Sequence, residues 1–103
     1  MELIEKKIIE NVRRKRLEMN FTIQEISAII SVSQNFINNI ESTNSHHKYN
    51  IVHLSKLAFL FDCEITDFFP SMSKYFDEKE LLDLEVVKKQ IQNQKKQRML
   101  KRR

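Results

Sequence analysis

Apolar residues in the first seventy positions recur at intervals of three and four between short polar stretches, the pattern of several short amphipathic helices rather than of strands. Leu3, Ile4, Ile8, Val12 and Leu17 keep that spacing and predict a helix over 3–19. Asn20 stands where such a helix ends in a left-handed residue, a conformation Asn tolerates better than most. Thr22 and Glu25 form a capping box, each side chain able to satisfy one orphan backbone N–H, and predict a helix over 23–30. Ile26, Ile29 and Ile30 are its inward set, with Phe21 placed as a hydrophobic staple. Ser33 is the next cap, opening a helix over 34–41. The joint of residues 31–33 is so short that the two helices must cross steeply. A polar loop over 42–50 ends in Asn50, a cap for a helix over 51–61 whose Ile51, Leu54, Leu57, Ala58 and Phe61 predict the centre of the core. A short helix after Thr66 contributes Phe68 and stops at Pro70, the one proline and the expected domain boundary. Beyond it, residues 77–98 predict a sixth helix with Leu81, Leu84, Val87 and Ile91 on one side. The expected architecture is all-α: a five-helix domain over 1–70, then a helix with a tail over 71–103.

At 103 residues and 41% hydrophobic content, the chain supports one modest core and at most one appendage. No apolar run approaches the roughly 20 residues of a membrane span, and the start is charged instead of signal-like, so a soluble cytoplasmic protein is expected. The single cysteine, Cys63, allows no internal disulfide and fits a reducing compartment. The net charge of +4 and pI of about 9.3 hint at an anionic partner, but the charge is uneven. Residues 1–70 hold 8 Lys/Arg against 9 Asp/Glu, while residues 71–103 hold 10 against 5. Six of the last nine residues are basic and none is acidic, so that segment is expected to fray. Glycine, the usual residue for positive φ in tight connections, is absent.

The stretch SVSQNFINNIES, residues 31–42, carries the most distinctive chemistry. At 100° per residue, Gln34, Asn35, Asn38 and Asn39 fall within an arc of about 140°, and Phe36, Ile37 and Ile40 lie on the other side. A carboxamide presents a donor and an acceptor in one plane, matching the N6 and N7 edge of adenine in the major groove. Uncharged amides read base edges, whereas lysines mostly grip phosphate without regard to sequence. The plainer reading is a solvated helix face in a chain from an A·T-rich genome, and composition alone leaves both open.

Other clusters are weaker. His46, His47, His53 and Cys63 match no compact metal-ligand spacing, so they are read as loop and helix-surface histidines and a small core filler. No Gly-rich phosphate loop, nucleophile triad or paired carboxylate stands out, so neither enzymatic activity nor a cofactor is expected. Of the run Arg13, Arg14, Lys15 and Arg16, helical geometry lets about two face a phosphate backbone. Tyr49 is expected to pack at the start of the fourth helix. The sixth helix either pairs with a second copy or folds back on its own chain; both remain open.

The segment FTIQEISAIISVSQNFINNIES resembles the helix-turn-helix of the phage lambda repressor and Cro-like (XRE-like) family, and the resemblance runs from Val12 through Phe69. It implies a sequence-specific double-stranded DNA-binding transcriptional regulator, bacterial, cytoplasmic and nucleoid-associated, with the third helix in the major groove and a possible homodimer through 77–98. By this resemblance Gln34, Asn35 and Asn39, with Asn38 beside them, read bases. Thr22, Gln24, Ser33, Ser42 and Lys48 form the backbone-contacting set, and Arg16 and Glu41 a structural ion pair. Three positions depart from the family pattern: Ile23 replaces the helix-2 glutamine, which comes one place later as Gln24, and Ser31 and Thr43 stand where glycine is usual. An antitoxin or adaptor using the same fold to bind protein is the alternative, supported by the balanced charge of residues 1–70.

Overall fold

The computed structural model describes residues 3–42, 46–71 and 76–101. They form α1 (Leu3–Glu18), α2 (Ile23–Ile30), α3 (Gln34–Glu41), α4 (Ile51–Leu60), a 3-10 turn (Ile65–Phe68) and α5 (Glu78–Lys101). No strand occurs among the described residues. Thr43, and Arg102 and Arg103 at the end of the basic tail, lie outside them. The chain forms two units, Met1–Ser71 and Met72–Arg103.

In the first unit, Val12, Ile26, Ile30, Ile37, Ile40, Leu54, Leu57, Ala58, Phe61 and Phe68 are buried together with Tyr49. Each fully buried Ile, Leu or Phe contributes about 1.5–3 kcal/mol of transfer free energy, so this cluster is the main source of stability. Phe61 lies at its centre, its ring 5.6 Å from Phe21 and 6.0 Å, edge-on, from Phe68. Ile8 and Ile29 are partly buried against this cluster, and two residues expected in the core are exposed. Leu17 is 49% exposed, because it projects about 140° from Val12 around α1 while Arg16, only about 40° away, takes the inward position. Ile51 is 64% exposed, since it sits in the first turn of α4 at the edge of the stripe.

The helix ends follow the capping chemistry of the sequence. Thr22 Oγ1 accepts from the Glu25 N–H at 3.1 Å, and Glu25 Oε1 accepts from the Thr22 N–H at 2.8 Å. Ser33 Oγ accepts from the Phe36 N–H at 3.1 Å and starts α3. Asn50 Oδ1 accepts from the His53 N–H at 2.8 Å, and the reciprocal bond comes from an unexpected residue: the Asn50 N–H donates to His53 Nδ1 at 3.2 Å. His53 is therefore the second half of a capping box, not simply a surface histidine.

Three helices close with a left-handed residue, Asn20 (φ 60°), Ser31 (φ 59°) and Asp62 (φ 53°). The next N–H in each case reaches back five residues: Phe21 to the Arg16 carbonyl, Val32 to Ser27 and Cys63 to Ala58, at 3.0–3.1 Å. These are Schellman closures made without glycine. Phe61 terminates α4 as its C-cap instead of lying inside the helix. The fifth element is a 3-10 turn beginning at Ile65, so Thr66 lies within it, and the Glu64 N–H is held by Asp67 Oδ2 at 3.0 Å. Asn11 on α1 ties this turn down, its Nδ2 donating to the Phe68 carbonyl at 2.9 Å across 57 positions of sequence.

In the second unit, α5 has no buried residue; Leu81 is half-buried, and Leu84, Val87 and Ile91 are exposed. It runs to Lys101, past the expected end at 98 and through most of the segment expected to fray. Lys, Gln, Arg and Met are good helix formers, and Arg98 and Lys101 in the last turn oppose the negative end of the helix dipole. No helix of the described residues is long and apolar enough to cross a membrane.

Candidate nucleic-acid interface

The short α3 is fixed from below and bare on top. Ile37 and Ile40 are buried in the core, and Gln34, Asn35, Asn38 and Asn39 are all exposed. Phe36, expected on the core side, is half-buried. Its ring lies 5.7 Å from both His47 and His53, so imidazoles border this end of the helix.

Arg16 and Glu41 clamp the other end of α3 to α1. Arg16 Nη2 lies 2.8 Å from Glu41 Oε1 and 3.0 Å from Oε2, and Arg16 Nε donates to Oε1 at 3.2 Å. Arg16 Nη1 also donates to the Phe21 carbonyl at 3.3 Å, so the guanidinium holds the end of α1, the start of α2 and the end of α3 together. Arg16 is only 8% exposed, which makes the pair a buried one. Arg13 approaches the same carboxylate at 3.9 Å but is otherwise open to solvent.

The backbone-contacting candidates divide in two. Thr22 and Ser33 are exposed, with hydroxyls already accepting capping hydrogen bonds. Gln24 is exposed on α2. Ser42, the C-cap of α3, lines a shallow depression with Arg13, Asn38 and Glu41. Lys48 is exposed, and its Nζ is paired with Glu5 Oε1 at 3.0 Å, because the start of α1 brings a carboxylate to it. Exposed Arg14 is a further basic group of α1.

Tyr49 is buried, as its packing role anticipates, and its hydroxyl has no hydrogen-bond partner among the described residues. Burial, and then the Glu41 carboxylate, push the phenol far above its ordinary range, with Arg16 pulling the other way. Cys63 is a free, half-buried thiol packed against the core. Burial raises its pKa, the reverse of what a nucleophilic thiolate requires. No cluster of three potential metal ligands occurs among the described residues. Sequence reasoning missed Asn11 and His53. For His53 the signal was present, since it stands three residues after a cap residue, but His is not the usual partner in that motif.

No protein-family model matches the chain, and no curated protein matches it. Among solved structures, the chain is similar to one from a SinR protein/SinI protein complex, with a TM-score of 0.53 and 18% identity over 91% of this chain and 96% of that one. At that identity the likeness shows the fold: an all-α, lambda-repressor-like helix-turn-helix domain with an additional C-terminal helix.

Proposed function

We propose that this chain is a sequence-specific double-stranded DNA-binding protein that acts as a transcriptional regulator by placing α3 in the major groove. The observation that carries the reading is the joint exposure of Gln34, Asn35, Asn38 and Asn39 on a helix whose opposite side is locked in the core. Those four side chains contact base edges. Thr22, Gln24, Ser33 and Ser42 position the protein on phosphates, with Arg13 and Arg14 supplying charge, and Lys48 joins them once released from Glu5. The protein acts in the cytoplasm, on the nucleoid. A homodimer through 77–98 supplies a second α3, since recognition helices about 34 Å apart engage successive major grooves.

A protein-binding role on the same fold is the second reading, supported by the near balance of charge in residues 1–70. Selection of bound duplexes from a random library at two salt concentrations separates the two. The DNA reading expects one enriched sequence and a steep loss of affinity with salt. No enrichment and a flat salt response would leave the protein-binding role. For the selected duplex, Asn39→Ala is expected to lose about 1–3 kcal/mol of discrimination at defined base pairs. Equal weakening on every sequence contradicts base reading by Asn39.

A further inference from the structure

We propose that α5 pairs with α5 of a second copy, and that the two helices run antiparallel. The inference rests on the homodimer through 77–98 proposed above and adds its direction and register, which hold whatever α3 binds. Leu81, Leu84, Val87 and Ile91 project within an arc of about 120°. Leu84, Val87 and Ile91 are exposed, and Leu81 is only half-buried. Covering this face would take those side chains out of water, and charge selects the partner and its direction. Residues 77–85 hold five acids and one lysine, whereas residues 86–101 hold six basic residues and no acid. Parallel pairing sets acid against acid and base against base along the whole length. Antiparallel pairing sets each acidic half against the other copy's basic half.

The apolar stripe adds a register. It runs from residue 81 to 91, so two copies superpose their stripes when they cross near residue 86, with Leu81 of each copy against Ile91 of the other. That register brings Asp77, which projects within about 20° of the middle of the stripe, towards the second copy's Lys95, which projects at the same angle.

Two measurements test this. Sedimentation equilibrium of the unaltered chain is expected to show a dimer whose dissociation constant rises several-fold between about 0.05 and 0.5 M salt, because opposite charges are being screened. A dissociation constant that falls with salt is the mark of like-charge, parallel pairing and overturns the proposal. A monomer at about 100 µM overturns it too, since pairs weaker than that retain too little binding free energy to set a direction. Orientation is read from spin labels placed singly at Val86 or Gln97 in a Cys63→Ala background whose helicity matches the parent. In the antiparallel pair the two labels at 86 sit at the same level on the outer sides of the two helices, and the two at 97 are further separated by about 33 Å along the axis, at 1.5 Å per residue. Equal distances at both sites mean a parallel pair and overturn the proposal.

Discussion

Ser31 holds φ 59° and ψ 46° at the end of α2, a conformation that costs a residue with a Cβ about 1–2 kcal/mol. Ser31→Gly removes that clash at some entropic cost in the unfolded chain, and is expected to stabilise the protein by about 0.5–1 kcal/mol in urea unfolding. The same change at an ordinary helical position such as Ser27 is expected to destabilise. Tyr49 offers a second test at this scale. Its buried hydroxyl has no partner among the described residues, so Tyr49→Phe removes a desolvated group without opening a cavity. Stability is expected to be unchanged or to rise by up to about 1 kcal/mol; a clear loss would reveal a hydrogen bond to that hydroxyl. Single residues were legible in the sequence where local geometry decides them. Asn20, Thr22, Ser33 and Asn50 do what their types predict because capping depends on three or four neighbouring positions. Leu17 was misjudged because apolar spacing cannot anticipate that Arg16 is worth burying, which depends on a carboxylate 25 positions away.

Among the elements, α3 depends most on others. Removing Glu41 leaves the Arg16 guanidinium buried and unpaired, and Glu41→Ala is expected to cost about 3–5 kcal/mol in denaturant unfolding. Arg16→Met combined with Glu41→Leu leaves no buried charge and is expected to cost far less than the two single losses added together. The start of α4 adds a pH response. Accepting from the Asn50 N–H requires an unprotonated Nδ1, and burial, then Lys56, lower the His53 pKa below its ordinary 6.5. The unfolded chain therefore binds the proton more readily. The contribution of His53 is fully present above about pH 6.5 and declines as pH falls towards the lower folded-state pKa. Protonation also sets a positive charge at a helix N-terminus, which acts in the same direction. The fall in Tm between pH 7.5 and 5.5 is expected to be smaller in His53→Gln, which keeps a capping-box acceptor that does not titrate. An identical fall in both proteins would assign the response to other groups. The helices themselves were legible from periodicity and caps. The 3-10 turn was less so, because four residues give too little pattern to fix a start.

Over the whole molecule, long-range ties close what local signals only outline. Asn11 joins α1 to the carbonyl of Phe68, securing the last turn of the first unit. Asn11→Ala leaves that carbonyl without its donor and is expected to cost about 1–2 kcal/mol, seen as a lower urea midpoint with an unchanged m-value. Nothing near Asn11 in sequence announces this bond, since hydrogen bonds across 57 positions have no local signature. The candidate interface was more legible: its four amides fall on one side by helical arithmetic alone, and burial of Ile37 and Ile40 turns that side outward. At eight residues α3 is well below the roughly 12–15 needed for a helix to persist alone in water. Its row of exposed amides therefore has no existence apart from the folded unit. Warming that loosens the clamp at Glu41 is expected to erase ligand discrimination in step with melting, so this chain would carry a built-in thermal limit on whatever it binds.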